Sequence, residues 1–281
     1  MAEIGKINHL KVVKELSFGL YLDGGAHGEI LLPVRYIPEG TKVGDEIDVF
    51  IYYDSEDRII ATTEKPYVMV DDFALLKVIS VNQVGAFLDW GLPKDLLVPF
   101  REQKQTMQEG RWYIVRVYLD KASKRIAASA KIDSFLDNLP PDYQEGQEVD
   151  LIICNETELG YKAIVNRLHW GMLYKSEVFQ PLERGQRVKG FIKKIREDEK
   201  IDVSLAKPGY GKVDLLSEKI LDYLRNNKGF MDVTDKSSPE TIYSLFGISK
   251  KAFKMTIGGL YKRGYIMLED QGIRLIQEDG D

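Results

Sequence analysis

The sequence predicts a mostly β protein: three small antiparallel barrels in tandem, followed by a small α+β domain. Two observations carry this. A strand-and-turn pattern recurs three times at fixed offsets along the first two hundred residues. Beyond about residue 212 the apolar period changes from two to that of a helix.

The repeat is clearest from residues 80–100, SVNQVGAFLDWGLPKDLLVPF. Shifted by 66 residues toward the N-terminus, Gly85-Ala86-Phe87-Leu88-Asp89 falls on Gly19-Leu20-Tyr21-Leu22-Asp23, and Leu97-Val98-Pro99 falls on Leu31-Leu32-Pro33. Shifted by 75 the other way, Gly85 falls on Gly160, Leu97-Val98-Pro99 on Met172-Leu173-Tyr174, and Gly110 on Gly185. Each unit then reads alike. A first strand precedes a Gly-aromatic second strand (FGLYLD, GAFLDW), a short third strand (EILLP, DLLVP, GMLY), a long fourth strand and a closing fifth (RIIAT, RIAAS, KIDVSL). Five short strands in about 65 residues suggest a closed antiparallel barrel, because closure leaves no unpaired edge. The expected units are 1–64, 66–135 and 146–206.

The helical segment begins after a Gly/Pro-punctuated linker, AKPGYGKVD. Leu216, Ile220 and Leu224 line one face of a helix over about 214–227. Ser238-Pro239 supplies a cap and a first-turn proline, and Gly247 suits a left-handed stop. Ser249 caps a further helix, which the hairpin YIMLED-QG-IRLI follows. This is the order of a winged helix-turn-helix, expected over 213–281. Residues 250–263 hold five basic and no acidic side chains, with Lys251 and Lys254 off the apolar face. In a DNA-binding helix-turn-helix this helix enters the major groove.

Composition narrows the function classes. The net charge is −5 and no run approaches the ~18 apolar residues of a membrane helix. The N-terminus lacks a signal-peptide pattern and there is one cysteine, Cys154, so a reducing, cytoplasmic setting is expected. His9, His27 and His169 are scattered, and there is no Cys-x-x-Cys and no Walker loop. The expectation is a non-enzymatic protein with no metal and no cofactor.

The stretches GAFLDWGLPKDLLVP and YKAIVNRLHWGMLYKSEV resemble the S1 variety of the OB-fold, whose pattern is a Gly-x-Phe-Val strand followed by Gly-Leu-Val-His-x-Ser-Glu. The third unit keeps Gly171-Met172-Leu173-Tyr174-Lys175-Ser176-Glu177, whereas the first two carry Pro33 and Pro99 where the family often has His. Three S1-like OB-fold barrels followed by a winged helix resemble the conserved virulence factor B family of Gram-positive bacteria. That resemblance implies cytoplasmic RNA binding and post-transcriptional control, including virulence regulation. The implied partner is single-stranded RNA, with DNA or a protein partner as alternatives through the winged helix or the acidic first barrel, and with no membrane.

OB-type barrels stack bases on aromatic rings while cations follow the phosphates. The candidate rings are Phe18 and Tyr21 in the first unit, Phe87 and Trp90 in the second, and Tyr161 and Tyr174 in the third. Phe18 and Tyr21 cannot share one face of a regular strand, so a bulge at Gly19 is expected. Candidate cations are Arg116, Lys124 and Arg125 in the second unit, Lys193 and Lys194 in the third, and Lys251 and Lys254 in the winged helix. The bland alternative is that the rings fill barrel interiors and the cations are merely solvated. Charge disfavours the first unit for RNA, since residues 1–64 hold 6 basic and 12 acidic side chains. Residues 66–135 hold 10 and 8, and residues 146–206 hold 10 and 10.

Overall fold

A computed structural model describes residues 2–175, 178, 181–206 and 212–276, with side chains in the last stretch from residue 216. Residues 207–211 of the linker expected over 207–212, and the Ser176-Glu177 end of the third-unit motif, lie outside the described residues. The chain divides into two compact units, Met1–Asn138 and Leu139–Asp281.

The first unit holds two barrels. In the first, β1 (Ile7–Leu16), β2 (Gly19–Asp23), β3 (Glu29–Pro33), β4 (Glu46–Tyr53) and β5 (Ile59–Thr62) close in the order β1-β2-β3-β5-β4. In the second, β6 (Phe73–Val81), β7 (Gly85–Asp89), β8 (Leu96–Pro99), β9 (Trp112–Leu119) and β10 (Ile126–Ser129) run β10-β9-β6-β7-β8. The second unit opens with a closed barrel of β11 (Glu148–Glu156), β12 (Gly160–Val165), β13 (His169–Tyr174), β14 (Arg187–Ile195) and β15 (Ile201–Ser204). The 66- and 75-residue offsets persist in three dimensions. Gly19, Gly85 and Gly160 open the second strands, and Glu46, Trp112 and Arg187 open the fourth.

Those three glycines have a steric cause. A Cβ at Gly19, Gly85 or Gly160 would be driven into the carbonyl oxygen of Leu32, Val98 or Leu173 on the neighbouring strand. The bulge lies elsewhere than the sequence suggests. It sits in the first strand of every barrel, between Val12 and Lys14, Val78 and Ser80, and Ile153 and Asn155, and not at Gly19. A bulge there bends a strand that must pair with neighbours on both sides. Phe18 meets Tyr21 because Phe18 lies outside the strand, in the two-residue turn joining Leu16 to Gly19.

The second barrel stays open between β8 and β10. Polar groups fill the seam. Gln103, 8% exposed, donates its amide to the Val98 carbonyl at 3.1 Å and accepts the Met107 N–H at 3.0 Å. The Ala130 N–H donates to the Glu102 carbonyl at 2.9 Å.

The two barrels of the first unit share one apolar cluster, which joins Phe50, Tyr52 and Ile60 to Trp90 and Leu92. Charges lock the junction from outside: Lys94 donates to the Asp54 carbonyl at 2.6 Å and to the Asp57 carboxylate at 3.1 Å, and Arg125 pairs with Asp57.

The winged-helix region comprises α1 (Lys212–Asn226), β16 (Phe230–Met231), α2 (Pro239–Phe246), α3 (Lys250–Lys262), β17 (Ile266–Glu269) and β18 (Gly272–Leu275). The caps form as expected. Ser238 accepts from the Thr241 N–H, Gly247 is left-handed at φ 66°, and Ser249 accepts from the Ala252 N–H. Leu216, Ile220, Leu224, Phe253, Ile257 and Leu260 join one core, with Phe246 stacked on Phe253 at 5.5 Å. The sheet order β16-β18-β17 adds a two-residue strand to the expected hairpin.

Candidate nucleic-acid interface

The second and third strands of each barrel present an outward row at equivalent positions. Tyr21 faces Leu31, Phe87 faces Leu97, and Lys162 faces Met172. The next outward pair separates the barrels chemically. It is Asp23 opposite Glu29 in the first barrel and Asp89 opposite Asp95 in the second, one step beyond Leu88 opposite Leu96. In the third it is Ile164, itself fully buried, opposite the half-buried Trp170. Two facing carboxylates repel a phosphate chain; partial burial, with Asp89 beside it, raises the Asp95 carboxyl above the usual range. The third barrel carries no such pair.

In its place the third barrel sets cations against rings. The Lys162 ammonium lies 3.6 Å from the centre of the Trp170 ring. The Arg196 guanidinium lies 5.9 Å from the Tyr174 ring centre, bonds the Tyr174 hydroxyl, and clamps Asp202 through Nε at 3.1 Å and Nη2 at 2.7 Å. Asp202 is thereby neutralised. Lys193 and Lys194 are exposed on β14.

The remaining candidates fall into place around these rows. Phe18 is 51% exposed and meets the half-buried Tyr21 edge to face at 6.2 Å. The Lys14 ammonium stands 5.4 Å from the Tyr21 ring centre and 3.8 Å from Glu29. Phe87 is half-buried, and Lys124 is exposed in the β9–β10 turn at φ 58°. Lys251 and Lys254 are exposed on α3, with Lys254 3.3 Å from Asp235.

Four candidates are packed or paired within their own unit. Trp90 is 3% exposed, edge-on to Phe50 at 5.7 Å, and its indole N–H donates to the Lys94 carbonyl at 2.7 Å, so it offers no face to a base. Arg116 bonds Asp71 at 3.0 Å and lies 4.4 Å over the Phe135 ring, which spends its charge inside the unit. Arg125 pairs with Asp57, which Lys94 also holds, at the junction, with its own side chain 59% exposed. Tyr161 packs against the interior of the third barrel, on the opposite side from Lys162. His169, 4% exposed, lies with Nδ1 2.8 Å from the Tyr143 hydroxyl and donates Nε2–H to the Leu139 carbonyl at 2.8 Å, a structural role.

Sequence reasoning places Lys162 where the family has an aromatic, and Trp170 and Arg196 among the third unit's rings and cations, but it does not bring them together against the acidic pairs of the other barrels. The signal was present: the 66- and 75-residue offsets align Ile164 and Trp170 with two carboxylate pairs.

Fold and surface together define a protein of tandem S1-type barrels carrying a winged helix. Residues 4–64 match the S1 domain family, and residues 218–275 match the CvfB-like winged helix domain family. The chain is 28% identical to the uncharacterized protein YitL of Bacillus subtilis, over 93% of this chain and 90% of that protein. It is 27% identical to conserved virulence factor B of Staphylococcus aureus, over 98% of this chain and 95% of that protein. The resemblance to the conserved virulence factor B family is borne out. A crystal structure described as a multidomain protein with nucleic acid binding domains, from Streptococcus pneumoniae, is 25% identical and covers 97% of this chain and 98% of that one, with a TM-score of 0.40.

Proposed function

We propose that this is a non-enzymatic protein that binds single-stranded RNA with low sequence specificity and acts in post-transcriptional control in the cytoplasm, with the third barrel as its principal contact. The observation that supports this is the replacement of the facing carboxylates of barrels one and two by Trp170 beside Lys162. When a base stacks on Trp170, the Lys162 ammonium moves off the ring and onto a phosphate. Lys162 and Trp170 are both half-buried, and the cation–π contact given up is worth about 0.5–2 kcal/mol. Stacking returns about 1–3 kcal/mol per base, and the released ammonium adds a phosphate contact, so the exchange favours binding. Stacking accepts every base, which is the reason for low sequence specificity.

The exposed cations Lys251, Lys254 and Lys262 on α3 support a second nucleic-acid contact on the winged helix, to RNA or to duplex DNA. The acidic outward pairs of barrels one and two suit protein contact better than phosphate.

Replacing Trp170 by Ala tests this reading. Fluorescence anisotropy with a labelled single-stranded RNA is expected to show a loss of about 1–3 kcal/mol, roughly five- to 150-fold in Kd. An unchanged Kd in a folded Trp170→Ala protein would remove the third barrel from the contact.

A further inference from the structure

The turn between β12 and β13 is built unlike its counterparts. In barrels one and two the equivalent position, just after the second strand, is glycine at positive φ: Gly25 at 63° and Gly91 at 88°. Barrel three has Asn166 at 47° there and follows it with Arg167 at 64°. The Leu168 N–H closes the turn on the Val165 carbonyl at 2.9 Å. Two successive positive φ values favour Asn-Gly, and an arginine in the left-handed region is strained by its own Cβ. Strain retained at one position is a pointer to use of the side chain held there.

The turn is also clamped. Asn166 accepts the Asp150 N–H through its side chain at 2.8 Å, and its own N–H donates to the Asp150 carbonyl at 2.9 Å. Arg167 is thereby fixed at the mouth of a cleft of about 310 Å³ whose floor includes Ile152 and Val188. Arg187 and Lys189 complete the rim, and the only carboxylate in the lining, Asp150, is held by Lys189 at 2.9 Å. Lys189 is itself shared between Asp150 and Glu148, the latter at 3.4 Å, so the rim's remaining cations are Arg167 and Arg187, whose forks match phosphate oxygens.

We infer that this cleft is a phosphate anchor for the RNA strand, separate from the stacking surface and positioned by the strained Arg167. The inference rests on the reading of barrel three as the RNA contact. Trp170 lies three positions beyond Arg167, at most about 11 Å of chain, so one strand reaches both within the ~4–16 nucleotides that an OB-type barrel holds.

The test compares full-length wild type, Arg167→Gly, Arg167→Lys and Trp170→Ala by anisotropy with a single-stranded RNA across a salt series. Glycine suits the left-handed turn, so Arg167→Gly is expected to melt at or slightly above the wild-type temperature. It is expected to bind RNA several-fold more weakly, with a salt slope shallower by about 0.7, the signature of one lost phosphate contact on a single strand. Arg167→Lys keeps the charge and is expected to fall between them. Unchanged affinity and slope in Arg167→Gly, with Trp170→Ala weakened, would overturn the anchor and leave the stacking reading intact. No loss in either variant, or no RNA binding by the wild type, would overturn both. A clearly lower melting temperature for Arg167→Gly would overturn the strain argument.

Discussion

Trp90 contributes its whole ring to the junction between the first two barrels, edge-on to Phe50 at 5.7 Å and to Tyr52 at 6.5 Å. Truncating a buried ring of this size costs about 3–5 kcal/mol. Trp90→Ala is therefore expected to lower the stability of residues 1–138 by that amount in urea unfolding and to leave RNA affinity unchanged where the protein is folded. A loss of affinity without a loss of stability would return Trp90 to the binding surface. Charge is subject to the same partnering. Arg116 and Arg125 are cationic by type, yet they are held against Asp71 and Asp57, each of which also pairs with a lysine. Lys124 and Lys194 keep exposed heads and are better placed to follow a phosphate chain.

At the level of the elements, the barrels depend on three recurring devices: the glycine that opens the second strand, the bulge in the first strand, and the charged turn before the fifth. The glycines and turns were legible in the sequence because the steric demand at Gly19, Gly85 and Gly160 admits one residue type. The bulges were not, since nothing marks Val13, Ile79 or Cys154 as extra residues until register is known. The partners of Trp90, Arg116 and Arg125 were also hidden. They lie about 40, 45 and 68 residues away, across a domain junction or beneath a neighbouring strand. The two-residue strand Phe230–Met231 is too short for any periodicity to announce. Within β1, His9 bridges Asp48 at 2.8 Å and Glu46 at 3.2 Å across the β1–β4 ladder. The hydrogen bond to Asp48, with both carboxylates nearby, raises the His9 pKa above its ordinary value near 6.5. A raised pKa means that the folded state holds the proton more tightly. The stabilisation is complete below about pH 6.5 and is lost as pH rises through the folded-state value. Thermal melts from pH 6 to 8 are expected to show a decline that His9→Gln flattens, and an equal decline in that variant would exclude His9 as its source.

For the whole molecule, net charge is a poor guide to function. A chain at −5 does not attract nucleic acid as a body, and the counts of 6 basic against 12 acidic side chains in residues 1–64 show where the excess lies. What matters is that a third barrel of balanced charge carries rings and cations on one outward face, while its two sisters carry carboxylates there. Under the proposed function, weak contacts on barrel three and α3 of one chain would reinforce each other through effective concentration, and affinity is then expected to grow with strand length beyond what either site gives alone. The most direct test of the central claim is anisotropy of the full-length protein with a labelled single-stranded RNA and a matched DNA duplex, each at about 50 and 200 mM salt. The account predicts tight binding to the single strand that weakens steeply with salt, and weak binding to the duplex. A duplex preference would contradict it and move the working surface to the winged helix; no binding to either would leave the barrels as protein-contact modules.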